Sequence, residues 1–110
     1  MAFEALEVAK EVLVALRGPV AKIRASDTEL ANQLKDAATS MVLNLGEGSR
    51  RQGRDRLQHY RIASGSAQES KSALEASVAW GYLGTDEVAN ALGLLDRVGA
   101  MSWRLTHPRA

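Results

Sequence analysis

Apolar side chains recur along this 110-residue chain at the spacing of helices that bury one face. In the first segment they stand three or four positions apart, and Gly18 and Pro19 interrupt the pattern near its end. Pro19 lacks the amide hydrogen that would bond to Ala15, so a helix over residues 2–24 is expected to kink at residues 18–19. The apolar row consists of Leu6, Ala9, Leu13, Leu16, Val20 and Ile23.

Two longer segments follow with the same periodicity. Residues 27–47 are predicted to form the second helix, which the two glycines flanking Glu47 should end in the left-handed conformation. Residues 54–82 are predicted to form the third. Glycine weakens a helix by ~1 kcal/mol relative to alanine, so Gly65 in its middle indicates a close approach by another backbone. The inward row of the third helix is Tyr60, Ala63, Ala67, Ser70, Leu74 and Ser77 or Val78.

The fourth segment, residues 85–105, carries an unusually wide apolar stripe made of two overlapping rows. Such width exceeds what one core-facing surface needs and predicts a second buried face, against a partner subunit. Trp80 and Trp103 lie late in the third and fourth helices. They could cover an end of the molecule or contact a neighbouring subunit, and core packing is the preferred interpretation. The two rows are Val88, Leu92, Leu95 and Ala91, Leu94, Val98, Met101, Leu105.

Four amphipathic segments with short connections and no strand pattern predict an all-α single domain, an up-down-up-down antiparallel four-helix bundle. The composition agrees, since 45% apolar and 25% charged residues are typical of globular proteins. The chain has no cysteine, which excludes disulfides and thiolate metal sites. No stretch is apolar enough to span a membrane, and Glu4 and Glu7 stand where a secretion signal would need lysines. We therefore expect a cytoplasmic protein that does not bind membranes.

Catalytic chemistry finds little support in the sequence. Helix bundles hold di-iron sites through Glu-x-x-His motifs, but Arg56 stands three residues before His59 and Arg104 three before His107. The serines of the third helix are better explained by packing, and no phosphate-binding glycine loop is present. We predict no catalytic residue, no metal, no cofactor and no small-molecule substrate.

Arginines form the strongest candidate site. The net charge is only +1, yet five arginines fall within residues 50–61, where Asp55 is the one acid. The planar guanidinium group matches phosphate oxygens, which indicates a nucleic-acid contact. The alternative is a solvated helix start whose arginines bond carboxylates of their own assembly, and the sequence leaves both open. The candidates are Arg50, Arg51, Arg54 and Arg61, with Arg56 and His59 secondary.

Asn44, Glu47 and Gly48 stand at the turn that precedes these arginines. A carboxylate and an amide at a glycine-rich turn could be catalytic. No second acid or histidine accompanies them, however, so we interpret them as residues that organise the turn and present the arginines.

Residues 44–51, Asn-Leu-Gly-Glu-Gly-Ser-Arg-Arg, resemble the Asn-Ile-Ala-Glu-Gly turn and following basic residues of the 23S ribosomal RNA intervening-sequence protein family. Residues 60–69 resemble that family's Ile-Ala-x-Gly-Ser-x-x-Glu stretch, residues 81–83 its third-helix ending and residues 34–40 its second-helix lead. Gly46 stands where the family usually has alanine.

The resemblance implies an up-down-up-down bundle that assembles into a ring-like homopentamer. A relative of the family, the accessory variability protein of diversity-generating retroelements, partners a reverse transcriptase and binds nucleic acid through a basic surface. Together with the arginines, this predicts a non-enzymatic, self-associating protein that binds nucleic acid or a nucleic-acid enzyme. The alternative is a protein–protein interaction scaffold with no nucleic-acid role. A ring of identical subunits would let weak arginine patches act together.

Overall fold

The computed structural model describes residues 3–107, and over that range the regular secondary structure is entirely α-helical, without strands. The molecule is elongated, with extents of 45 × 23 × 22 Å. The all-α prediction is therefore confirmed, whereas the four-helix count is not, because the described part of the chain contains five helices. They are α1 (Glu4–Ala15), α2 (Arg17–Arg24), α3 (Thr28–Ser49), α4 (Gly53–Ala79) and α5 (Thr85–Thr106).

The fifth helix arises because the first predicted segment divides at Leu16. Leu16 keeps right-handed backbone angles, with φ −86° and ψ −7°, but its ψ lies well above the helical value of about −42°, two residues before the predicted kink. The break places Pro19 in the first turn of α2, where amides have no helical partner and proline costs nothing. The first bond of α2 runs from the Val20 amide to the Leu16 carbonyl, at 2.8 Å. Ala2, where the predicted helix begins, lies outside the described residues.

The glycines near the end of α3 do not end it. Gly46 and Gly48 both lie within the helix, which continues to Ser49. Among the described residues, positive φ values occur only at Gly53 (59°) and Gly81 (83°). The left-handed conformation expected at the end of α3 therefore occurs at the first residue of α4 instead, after a short connection. Asp27 begins α3 by accepting a hydrogen bond from the Leu30 amide, at 2.9 Å.

The α3–α4 pair is the most extensive helix contact. Hydrogen bonds join Ser66 Oγ to Ser40 Oγ at 3.0 Å and His59 Nδ1 to Asn44 Oδ1 at 2.9 Å. As one partner advances along α3 the other retreats along α4, so the two helices are antiparallel. The predicted inward row of α4 is confirmed, and small side chains dominate it. The buried members are Tyr60, Ala63, Ala67, Ser70, Leu74 and Ser77.

Much of the apolar stripe of α5 is buried within the chain, since Ala91, Val98 and Met101 pack against the core. The second buried face against a partner subunit stays a prediction. Trp80 and Trp103 are 70% and 57% exposed, contrary to the preferred interpretation of core packing.

The glycine interpretation also needs correction. Gly65 is exposed, and no atom would lie within 4 Å of a Cβ added there. The close approach expected at Gly65 occurs at Gly48, which is buried between α3 and α4.

Candidate nucleic-acid interface at the α3–α4 corner

The predicted site residues come together where α3 ends and α4 begins. We call residues 44–61 the α3–α4 corner. It comprises the last turns of α3, the connection over residues 50–52 and the first turns of α4. The antiparallel pairing of the two helices brings Asn44 beside His59 and Gly48 beside Tyr60. A compact set of polar contacts then decides which arginines face solvent without a partner.

Glu47 binds two of the five arginines. Its Oε1 accepts from Arg50 Nη2 at 3.0 Å, and its Oε2 accepts from Arg51 Nε at 3.0 Å. Arg51 also reaches Asp55 Oδ2 with Nη1, at 3.2 Å. Hydrogen bonds from Arg51 and Arg50 lower the pKa of Glu47, and the bond to Glu47 raises the pKa of Arg51. Arg51 is therefore engaged on both sides of its guanidinium, whereas the side chain of Arg50 remains 68% exposed.

Arg56 caps the end of α3. Its Nε donates to the carbonyl of Gly48 at 3.1 Å and its Nη2 to that of Ser49 at 3.3 Å. The last carbonyls of a helix lack partners within the helix and carry partial negative charge, so a guanidinium there is favourable. Ser49 adds a hydrogen bond from its hydroxyl to the Gly46 carbonyl, at 2.7 Å. Arg56 thus stabilises the corner, and its donors are directed at the protein.

His59 points into the helix pair, with only 23% of its side chain exposed. Asn44 donates from Nδ2 to the Ser40 carbonyl at 2.9 Å, which leaves its Oδ1 to accept from His59 Nδ1 at 2.9 Å. On the other side of the ring, Nε2 lies 3.8 Å from Asp55 Oδ1. His59 and Asn44 therefore fix the pairing of α3 with α4, and the imidazole does not face solvent as a phosphate ligand would.

Arg54 and Arg61 differ from the other three arginines. Both are exposed, and within residues 3–107 neither takes part in an ion pair or a side-chain hydrogen bond. They stand seven residues apart, two helical turns, so they lie on one face of α4. Arg50 is bonded through Nη2 alone, so the corner holds three arginines with most of their donors free, Arg50, Arg54 and Arg61.

The family described as 23S rRNA-intervening sequence protein has a model that matches residues 4–104. The chain belongs to this family. The resemblance seen in the sequence is thereby confirmed. Among curated proteins, none matches the chain.

A crystal structure of a protein of unknown function from the S23 ribosomal protein family of Bacteroides thetaiotaomicron VPI-5482 is similar to this family member, with a TM-score of 0.84. The two are 17% identical, over 93% of this chain and 97% of that one. At this identity the similarity shows the fold alone.

The structure of this family member divides the predicted site into two sets. Arg50, Arg54 and Arg61 present guanidinium donors to solvent. The second set makes contacts within the corner, and the organising role expected for Asn44, Glu47 and Gly48 stays a prediction. This set consists of Asn44, Glu47, Gly48, Arg51, Arg56 and His59. Sequence reasoning missed the capping role of Arg56. Its position soon after the end of α3 could have indicated this role, because basic side chains near a helix end can bond the last carbonyls.

In the part of the chain that the structure describes, no group of three or more histidine, aspartate or glutamate side chains is placed to hold a metal ion. None of the helices over residues 3–107 combines the length and apolar character that crossing a bilayer requires.

Proposed function

We propose that this protein is a non-enzymatic, self-associating protein that binds nucleic acid through phosphate contacts at the α3–α4 corner. The observation that carries the proposal is the pair Arg54 and Arg61, exposed on one face of α4 and free of partners among residues 3–107. Arg50 adds a third, largely exposed guanidinium. Arginine's planar fork of donors fits phosphate oxygens better than a lysine ammonium does.

The ion pairs of Glu47 weaken the corner as a phosphate site without abolishing it. Exposed ion pairs contribute little to stability, so Arg50 can exchange its carboxylate partner for phosphate. Arg51 and Arg56 use their donors within the protein and serve to position the corner. One chain therefore neutralises only a few phosphates and binds weakly, so the proposal relies on several copies acting together.

Apolar surface outside α5 supports self-association. Val14 and Leu43 are large apolar side chains that remain exposed. A groove of about 610 Å³ also runs between α1–α2 and α3. Its lining is mostly apolar, with three basic residues, and consists of Leu13, Leu16, Arg17, Val20, Ala21, Arg24, Ala25, Lys35, Ala38 and Thr39. The homopentamer implied by the family resemblance is the assembly we propose.

Salt dependence tests the nucleic-acid proposal. Fluorescence anisotropy with labelled RNA and DNA oligonucleotides measures the binding constant at several salt concentrations. The logarithm of that constant should fall linearly with the logarithm of salt concentration, with a slope of ~0.7–0.9 for each phosphate neutralised. The double variant Arg54→Ala/Arg61→Ala should lose affinity and flatten that slope. Lys10→Ala/Lys22→Ala removes the same charge from α1 and α2, outside the corner, and should retain both. Absence of binding at low salt, or an equal loss in both variants, would overturn the proposal.

Light scattering of the same samples tests self-association independently. We expect a mass several times the 11.8 kDa of one chain. A mass of 11.8 kDa at micromolar concentration would contradict the assembly. The α3–α4 corner could then supply only a few phosphate contacts.

The groove favours one second candidate, a scaffold that binds another protein. Apolar side chains such as Leu13, Leu16 and Val20 could receive the apolar face of a partner helix, and Arg17, Arg24 and Lys35 would attract acids flanking that face. If the protein binds a partner protein but binds neither RNA nor DNA at low salt, the scaffold function is favoured over nucleic-acid binding.

A further inference from the structure

Trp103 is an exposed aromatic side chain held in a fixed orientation at the end of the molecule that carries the arginines. Its ring stacks on that of His107, with centroids 4.2 Å apart and an interplanar angle of 10°. His107 Nδ1 also lies 3.0 Å from the Trp103 carbonyl oxygen. Because a carbonyl oxygen only accepts hydrogen bonds, Nδ1 is the donor. Even with this stacking, 57% of Trp103 remains exposed. An indole so placed presents a flat apolar surface to solvent. Because its orientation is already fixed, it loses little further conformational entropy when a ligand binds.

This indole lines a groove between α4 and α5 with a volume of about 380 Å³. An ion pair between Lys71 and Asp96, at 3.1 Å, joins the two helices in the same groove. Gly65 and Gly99 belong to its lining, and a Cβ added to either would meet no atom within 4 Å. The groove is therefore open where these residues lack side chains, and a flat ring can approach.

The two free arginines of the corner lead into this groove. Arg54, Arg61, Gly65 and Gln68 follow one another at intervals of seven, four and three residues, so they form one row along α4. Gly65 and Gln68 line the groove with Trp103, which places Arg61 one turn beyond its edge and Arg54 two turns further. The row spans about 21 Å at the helical rise of 1.5 Å per residue, a length that several nucleotides of an extended strand can follow.

We propose that the α4–α5 groove is a base-stacking site for single-stranded nucleic acid, in which Trp103 stacks on a base while Arg54 and Arg61 contact phosphates. The inference deepens the proposed function and rests on it. Positive side chains along a strand together with an aromatic platform are the features by which proteins bind single strands without sequence preference. A duplex keeps its bases stacked inside and cannot offer one to a groove. The sequence alone gave no sign of this site, since Trp103 lies far from the arginines along the chain.

Fluorescence provides a direct test. In a Trp80→Phe background, Trp103 is the single tryptophan, and stacking on a base should quench its emission when single-stranded RNA or DNA is added but not when duplex is added. Trp103→Ala should weaken single-strand binding by roughly 5- to 150-fold, the usual range for loss of one stacked base. Trp103→Phe should restore much of the affinity. Trp80→Ala removes another exposed indole, stacked on Tyr82 elsewhere, and should change nothing.

A second variant guards against an effect on folding. Gly65→Leu fills the groove from an open helical position, so it should leave the unfolding midpoint at or above wild type while reducing single-strand affinity. The outcomes separate the two proposals. Binding that depends on Arg54 and Arg61 but not on Trp103 overturns the stacking site alone, whereas no binding at low salt overturns both. A drop in assembly mass on Trp103→Ala would instead assign the indole to a subunit contact and overturn the inference.

Discussion

Gly48 lies so close to the ring of Tyr60 that a Cβ built on residue 48 would stand 2.7 Å from Tyr60 Cε1. The same Cβ would be 3.2 Å from the Cβ of His59. Tyr60 cannot easily move away, because it is only 5% exposed and is packed against Phe3. The centroids of the two rings are 5.8 Å apart. A glycine inside a helix is thus explained by the approach of the neighbouring helix. This approach brings Arg56 within reach of the last carbonyls of α3.

Gly48→Ala is therefore expected to destabilise the protein although alanine is the better helix former. Propensity alone favours alanine by ~1 kcal/mol, whereas forcing an atom into a packed contact typically costs ~1–3 kcal/mol. We expect a net loss of about 1 kcal/mol or more in the free energy of unfolding, measured in urea. Gly65→Ala is the matched control and should gain up to ~1 kcal/mol, since space is open there. Equal stability of the two variants would contradict the close approach.

Arg56 and Arg54 offer a second contrast, between two arginines separated by one residue. Arg56→Ala removes the donors to the Gly48 and Ser49 carbonyls and should cost about 1 kcal/mol of unfolding free energy. Arg54→Ala removes an exposed side chain and should stay within ~0.5 kcal/mol of wild type. RNA binding by each folded variant should show the reverse order, with the larger loss for Arg54→Ala. If Arg56→Ala weakens binding more, the division of the arginines proposed here is incorrect.

The helical pattern could be predicted from the sequence because it depends on neighbours three and four residues away. The inward row of α4 from Tyr60 to Ser77 illustrates this, since every small or apolar member falls on the buried side. The break at Leu16 could not be placed as well, because proline tolerates any of several positions in a first helical turn. Local pattern indicated a disturbance near Pro19 but not on which side of it the helix would divide.

The candidate site was harder to predict, since it depends on how two helices meet. Five arginines close in sequence look alike, yet Arg56 reaches carbonyls of the preceding helix, Arg51 reaches Glu47, and Arg54 reaches no side chain described. Their roles follow from the angle between α3 and α4, which no local pattern specifies. Trp103 is a similar case, because core packing was the preferred interpretation and only the packed structure shows the side chain exposed.

Glu47→Gln should strengthen nucleic-acid binding. The carboxylate holds Arg50 and Arg51 and opposes phosphate, so its neutralisation frees donors and raises the local charge. We expect a severalfold gain in affinity at low salt and a steeper salt dependence, by about one further phosphate contact. Glu69→Gln makes the same charge change on α4 away from the corner and should have a smaller effect. If both variants gain equally, net charge and not the corner governs binding.

Glu87 links the start of α5 to α2 and predicts part of the acid sensitivity of the fold. Lys22 Nζ lies 2.8 Å from its Oε2, and the Gly84 amide donates to its Oε1 at 2.9 Å. The hydrogen bond from Lys22 is the larger cause and the one from the Gly84 amide the smaller, and both lower the pKa of Glu87 below the ordinary 4.5. A carboxylate with a lowered folded-state pKa stabilises the protein fully above pH 4.5 and loses this contribution as the pH falls through the lowered value.

Wild type should accordingly be more stable than Glu87→Gln at neutral pH, and the difference should shrink below pH 4.5 until both unfold alike. Urea unfolding at a series of pH values measures it. Lys22→Ala should reproduce part of the loss, and the double variant should show less than the sum, because the two side chains share one ion pair. The difference in unfolding free energy between wild type and Glu87→Gln could instead stay constant from neutral pH to pH 3. That result would mean that the charge of Glu87 does not stabilise the fold. Its effect on stability would then come from the size of the side chain.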